Sequence, residues 1–195
     1  MNENENLDSK NLPKRNKCFG TMSISHISVG TTREKFPEMI QFYDAIMKEL
    51  GAKRQMMVAF KQPSTPDGES ENADGNKLDP NSEYNDTVVA VAYGKYFPQY
   101  WVQLPHNDDN DLTKAEKEAT PGNGVHIAFN CSSQKQVQDV YNVAMSNGGT
   151  CNGKPGPRIE YSDKYYGAFF IDPFGNKLEA TFFDLGFIMN NYAIL

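Results

Sequence analysis

Apolar residues recur at every second position in several short stretches, the pattern of β-strands that bury one face. It is clearest in GVHIAF at 124–129, where Val125, Ile127 and Phe129 are the apolar positions. The same pattern predicts strands at 22–30, 53–60, 87–93, 99–105, 166–172 and 177–183, with a short extra strand near 157–161.

Two stretches instead repeat apolar residues at the spacing of a helix that buries one side. The first begins near Pro37, which suits a first helical turn, and ends at Gly51. Ser133 and Gln136 fit a capping box that opens the second helix, and glycines at 148–149 end it. The predicted buried stripes are Met39, Ile40, Tyr43, Ile46, Met47 and Leu50 in the first helix, and Val137, Val140, Tyr141, Ala144 and Met145 in the second.

The two halves of the chain repeat one pattern. Three pairs of segments match in order: 25–30 with 125–130, 42–51 with 140–149, and 101–104 with 177–180. Each half therefore predicts a βαβββ module, a sheet with a helix on one face. The predicted class is α+β, with two paired modules whose uncovered faces form a cleft.

Strand parity predicts which side chains line that cleft. Residues that alternate with the helix-facing positions point inward, which places His26 and His126 there. The fourth strands place Gln103 and Glu179 inward by the same rule. Two imidazoles, a carboxylate and an amide that converge predict a divalent metal site. Alternatively, Gln103 only forms hydrogen bonds in the cavity, and the histidines are ordinary cavity residues.

Composition and charge narrow the class of partner. The chain has 195 residues, 38% of them hydrophobic, and a net charge of −6. That charge argues against nucleic acid and anionic membranes, which need a basic face. No apolar run reaches the length of a membrane span. Three widely spaced cysteines without a CxxC pair indicate a reducing compartment, so we expect a cytoplasmic protein that acts on a small molecule.

Composition also divides the chain. The polar residues 1–20 lack the apolar core of a signal peptide and are expected to be disordered. The apolar tail 186–195 is expected to pack on the body or on a second subunit, which favours a homodimer. The domain spans 21–185, divided into module one at 21–105 with a mobile acidic insertion at 62–86, a polar linker at 106–121 with one helical turn, and module two at 122–185.

A family resemblance adds to this. The stretches HISVG with FYDAIMKELG, then GVHIAF, then NGGTCNGKPGPRIEYSDKYYGAFFIDPFGNKLEA resemble the vicinal oxygen chelate superfamily. That superfamily includes glyoxalase I, bleomycin-resistance proteins, fosfomycin-resistance enzymes and extradiol dioxygenases. The likeness covers about residues 22–184 and is closest to uncharacterised glyoxalase-like members. It implies metal ligands at His26, Gln103, His126 and Glu179.

The resemblance implies a glyoxalase-like lyase or isomerase that uses zinc, nickel, cobalt, manganese or iron on a small oxygenated or thiol-conjugated substrate. Glu179 would be its catalytic base. Glyoxalase I usually has a carboxylate where this chain has Gln103. The alternatives are a ferrous extradiol-type dioxygenase and a ligand-binding protein without catalysis. Dioxygenases add a further histidine near the metal, and the one spare histidine, His106, lies in a polar loop.

Four residues are candidates for substrate binding: Trp101, Arg158, Tyr165 and Tyr166. Arg158 either binds an anionic group of a substrate, pairs with Glu160 or is solvated. The aromatic residues either line a pocket or belong to the core of the sheet.

Overall fold

The structure is a computed structural model that describes residues 24–59, 77–105, 119–122 and 124–184. The elements are, in order, β1 (Ile27–Gly30), α1 (Phe36–Glu49), β2 (Lys53–Ala59), β3 (Lys77–Leu78), β4 (Val88–Gly94), β5 (Tyr100–Gln103), β6 (His126–Asn130), α2 (Gln134–Ser146), β7 (Thr150–Pro157), β8 (Tyr165–Ile171) and β9 (Lys177–Phe183). The predicted α+β class with two modules is confirmed. Neither α1 nor α2 is long and apolar enough to span a membrane.

Each module forms its own mixed sheet. The strand order is β1-β5-β4-β2-β3 in the first sheet and β6-β9-β8-β7 in the second. In both sheets the first strand of the module runs parallel to the last, and the other neighbours are antiparallel. The repeat seen in the sequence is therefore also a repeat of topology.

The two helices begin and end where local signals place them. Pro37 lies in the first turn of α1, and Gly51 follows its end with a φ of 73°. The Oγ atom of Ser133 accepts a hydrogen bond from the Gln136 N–H at 3.1 Å and caps α2. The Gln136 side-chain oxygen accepts in return from the N–H of Ser132, one residue before the cap.

The covered faces of the two sheets meet at the centre of the molecule. Helix α1 packs on the first sheet, α2 packs on the second, and the two helices contact each other. Phe42 of α1 is one residue that joins the two modules. It lies outside the predicted stripe of α1 but is fully buried, and its ring centroid is 6.3 Å from that of Phe170 in the second sheet. With two buried sides, α1 is shared by both modules.

The two modules pair and border a cleft, as predicted, but the uncovered faces of one chain do not form it. Since the helices lie between the sheets, the open face of each sheet points away from the contact between the two modules. Among the described residues, a direct contact between strands of the two sheets is the packing of the Tyr100 ring of β5 on the Phe129 ring of β6, at 5.3 Å between ring centroids. The space between the modules is instead bordered by β1, β6 and the end of α1.

A buried hydrogen-bond chain joins the modules. The Tyr100 hydroxyl donates to the Tyr43 hydroxyl at 2.8 Å, and Tyr43 donates to Oδ2 of Asp172 at 2.8 Å. Asp172, 3% exposed, opens the turn between β8 and β9, and its Oδ1 accepts from three backbone N–H groups of that turn. Burial raises the pKa of Tyr43 and of Tyr100, so both hydroxyls remain donors near neutral pH.

Two predicted segments differ from the structure. The strand expected near 157–161 is instead β7, which ends at Pro157, because the hairpin to β8 turns directly after it. The acidic insertion at 62–86 is not wholly a surface loop, since β3 lies within it and Tyr84 packs its ring against Phe36 at 5.6 Å. The expectations for 1–20, 62–76, 106–118 and 186–195 fall outside the described residues.

We predict that Tyr43→Phe destabilises the chain by about 1–3 kcal/mol, since it removes a buried donor to a carboxylate. Tyr93→Phe is the matched control, because the Tyr93 hydroxyl bonds Asp44 at 3.0 Å inside module one. Both variants should unfold at lower urea concentration, but only Tyr43→Phe should speed hydrogen exchange in both α1 and the 172–176 turn. Equal exchange in the two variants would contradict the assignment of Tyr43 to the module junction.

Candidate functional site

Glu179 is a buried carboxylate on the open face of the second sheet. It lies in the middle of β9, is 3% exposed, and accepts a hydrogen bond from the Tyr165 hydroxyl to Oε1 at 2.7 Å. Burial raises the pKa of Tyr165, which therefore stays protonated and can donate. Gly167 leaves room for the carboxylate, because a Cβ there would lie 2.9 Å from Oε1.

His126 lies beside this carboxylate. Strand β6 runs parallel to β9, with Ala128 opposite Glu179, so the side chain two residues earlier on the same face is that of His126. Its Nε2 atom is 3.4 Å from Oε2 of Glu179, and the side chain is 56% exposed. Oε1 is thus held by Tyr165, whereas Oε2 and the imidazole are turned toward the open side.

In module one, the corresponding residues His26 and Gln103 lie further apart along the sheet than His126 and Glu179 do in module two. His26 precedes β1, is exposed, and its Nδ1 atom is 2.9 Å from the Ser25 hydroxyl oxygen. Gln103 lies opposite Gly30, two open-face positions along from His26. The residue that matches Glu179 by sheet position is Trp101, opposite Ser28. The internal repeat thus aligns Gln103 with Glu179 in sequence, while the sheet displaces it by two residues.

The three charged or basic donors do not converge within one chain. Among the described residues, His26, His126 and Glu179 form no common group that could hold a metal ion. Both histidines line a cavity of about 820 Å³ between the modules, together with Tyr100 and Phe129. Glu179 and Gln103 do not line it, because they lie further across the open faces.

Arg158 lies on the same open face as Glu179. Its guanidinium carbon is 5.1 Å from the centroid of the Phe169 ring, and Phe169 is the cross-strand neighbour of Glu179. One guanidinium nitrogen donates to the backbone carbonyl of Lys154 at 2.7 Å. The alternative pairing with Glu160 is not seen among the described ion pairs.

Of the two tyrosines proposed for substrate binding, the structure brings only Tyr165 to this face. Tyr166 points to the covered side, where it packs against the core and its hydroxyl accepts from the Gln138 side chain of α2 at 2.9 Å. Neighbouring residues of a strand point to opposite faces, so the pair could not have shared one site. Tyr166 is therefore left out of the candidate site.

Sequence reasoning missed two residues that shape the site. Gly167 and Phe169 share the open face of β8 with Tyr165. Their positions followed from the alternation in YGAFFID once Glu179 was placed, since β8 and β9 are neighbouring strands. Gly167 is the feature of the sequence that could have pointed to the site, because a glycine within a strand often marks the close approach of another group.

Comparisons with known proteins agree with this fold. The model of the Glyoxalase/Bleomycin resistance protein/Dioxygenase superfamily matches residues 24–180. A solved glyoxalase/bleomycin resistance protein from Albidiferax ferrireducens T118 is similar, with a TM-score of 0.52 and 24% identity over 81% of this chain and 97% of that one. A glyoxalase/bleomycin resistance protein/dioxygenase family enzyme from Burkholderia phytofirmans PsJN gives 0.49 and 13% over 83% and 99%. A comparison with curated proteins finds no match.

We predict that Gly167→Ala displaces the Glu179 carboxylate and destabilises the chain by about 1–3 kcal/mol, the usual cost of overpacking. Gly30→Ala is the matched control, because it lies on the open face of the first sheet and an added Cβ would meet no atom within 4 Å. Urea denaturation measures both. If Gly30→Ala costs as much as Gly167→Ala, the loss reflects glycine in a strand and not contact with Glu179.

Proposed function

We propose that this chain, which belongs to the Glyoxalase/Bleomycin resistance protein/Dioxygenase superfamily, is a metal-dependent lyase or isomerase acting on a small oxygenated or thiol-conjugated substrate. The observation that carries the proposal is the pair formed by His126 and Glu179, 3.4 Å apart. Imidazole nitrogen and carboxylate oxygen are ligands that zinc, nickel, cobalt, manganese and iron accept. The site fits such an ion, because one carboxylate oxygen is held by Tyr165 and the other faces His126.

The remaining ligands come, in this proposal, from a second copy of the chain. Both open faces point outward, and each carries part of the donor set. In a two-fold dimer, the open face of module one can lie against that of module two in the partner, and symmetry then makes two equivalent sites. His26 of one copy would complete the pair His126 and Glu179 of the other, with Gln103 as a weaker amide donor.

The residues divide the chemistry between them. A divalent ion held by these donors would supply Lewis acidity to two neighbouring oxygens of the substrate. Oε2 of Glu179 would leave the ion to accept a proton from the substrate carbon, as a general base. Tyr165 keeps Oε1 fixed meanwhile. Trp101, at the matching position of the first sheet, would supply an aromatic wall across the closed dimer.

Two other functions each have an observation in their favour. If Gln103 is too far displaced to bind, the donors are two histidines and one carboxylate, the set of non-haem ferrous oxygenases. The 820 Å³ cavity with Tyr100 and Phe129 instead favours a protein that binds a ligand without catalysis.

We also propose a cytoplasmic location, which the free thiols of Cys131 and Cys151 support.

We predict that the protein, purified without chelators or a metal-binding tag, contains a divalent ion by elemental analysis. His26→Ala, His126→Ala and Glu179→Ala should each lower its affinity at least about a hundredfold, and Gln103→Ala by less, because a neutral amide is a poor ligand. Calorimetry with zinc, nickel and manganese, and with ferrous iron under nitrogen, measures this.

Glu160→Ala is the matched control, since it removes an exposed carboxylate of module two outside the site. A redox-active iron would favour the dioxygenase. A wild-type protein that binds none of these ions would overturn both enzymatic proposals and favour the ligand-binding function.

A further inference from the structure

The guanidinium of Arg158 rests in a place built for it. Strand β7 has glycine at 153 and 156, and an added Cβ at these positions would lie 3.4 Å and 3.7 Å from the two terminal nitrogens of Arg158. The guanidinium carbon also lies 5.1 Å from the centroid of the Phe169 ring. The guanidinium thus lies over a strip of strand without side chains and beside an aromatic ring.

This placement also orients the group. The hydrogen bond to the Lys154 carbonyl and the contact with Phe169 fix it without using most of its five donors. Within the part of the chain that the structure describes, no carboxylate forms an ion pair with it. A half-buried, oriented and unneutralised guanidinium is suited to bind a planar anion through two parallel hydrogen bonds.

The distance between the Arg158 guanidinium and the Glu179 carboxylate sets the length of a ligand that could reach both. Phe169 lies directly across from Glu179 on the neighbouring strand. Strands are spaced by about 4.8 Å, so the guanidinium lies roughly 5–10 Å from the Glu179 carboxylate along the open face. A chain of about three to five bonds spans that gap.

We propose that Arg158 binds the carboxylate of the substrate, and that the substrate is a small acid whose carboxylate lies three to five bonds from the oxygens that react beside Glu179. This inference rests on the proposed function for the reacting oxygens, but not for the carboxylate site itself. It names the substrate class, an aliphatic carboxylic acid that carries two neighbouring oxygens at its other end.

The first test uses metal-free protein and does not depend on the proposed reaction. Phenylglyoxal modifies accessible arginines, and peptide mapping by mass spectrometry follows the modification of Arg158. We expect 2-hydroxyglutarate to slow that modification and its uncharged diamide to leave it unchanged. Equal rates with and without 2-hydroxyglutarate would overturn the inference, whether or not the protein binds a metal.

The second test uses protein loaded with zinc and compares two ligands by calorimetry. The ligands are 2-hydroxyglutarate and 2-hydroxypentanoate, which share a five-carbon chain and differ only at the distal carboxylate. Wild-type protein should bind the first roughly 10–100-fold tighter, the value of a charged hydrogen-bonded pair. Arg158→Met should abolish the difference, and Arg158→Lys should keep part of it, because lysine retains the charge but not the paired donors.

Glu160→Gln, a neighbouring exposed position, should behave like wild type. If Arg158→Met lowers stability yet leaves the preference for 2-hydroxyglutarate intact, Arg158 is only a structural residue and the inference is wrong. If zinc, nickel, manganese and ferrous iron all fail to bind but 2-hydroxyglutarate still protects Arg158, the proposed function fails and the carboxylate site stands.

Discussion

The hydrogen bond from Tyr43 to Asp172 holds the two modules in one orientation. Tyr43 lies on α1 and Asp172 in the turn between β8 and β9, so the bond crosses the junction. Both side chains are buried, and an unpaired buried carboxylate is costly, which makes this contact specific as well as stabilising. The Gln136 side chain adds a second crossing bond, to the carbonyl of Glu49 at 2.7 Å. Together they keep the helices in the centre.

The central position of the helices decides where chemistry can occur. It keeps the open faces of the two sheets apart, so His126 and Glu179 lie on one sheet and Gln103 lies on the other. A single chain therefore presents two incomplete donor sets. The proposed dimer pairs them and at the same time covers the exposed imidazole and the Phe169–Arg158 stack. Function, in this account, depends on the same packing that separates the donors within each chain.

Local features of the fold were predictable from the sequence, whereas long-range ones were not. Helix ends followed from Pro37, Gly51 and the Ser133 cap, and strand faces followed from alternation. The displacement of Gln103 could not be found this way, because a slip of two residues keeps every side chain on its face and leaves the alternation unchanged. The pairing of Phe42 with Phe170 was hidden for a different reason, since nothing local shows which second surface a helix buries.

The same limits apply to the site. Parity correctly placed Glu179 on the open face of its sheet. The sequence analysis did not apply the same rule to β8, where it puts Tyr165 on that face and excludes Tyr166, its neighbour in sequence. What parity cannot supply is the relation of one sheet to the other, which depends on the buried Tyr43 and Asp172. Convergence of the four donors was inferred from the repeat alone. The structure shows that the repeat specifies the modules and not their mutual arrangement.

Mixing two defective variants tests the two-chain site most directly. His26→Ala and His126→Ala each lose a proposed ligand at both sites of a homodimer, but their heterodimer has one site that keeps both histidines. After subunit exchange, the mixture should regain about one quarter of the wild-type metal sites by calorimetry, because half of the dimers are mixed and each has one intact site. A mixture that binds no more metal than either variant alone would contradict the account.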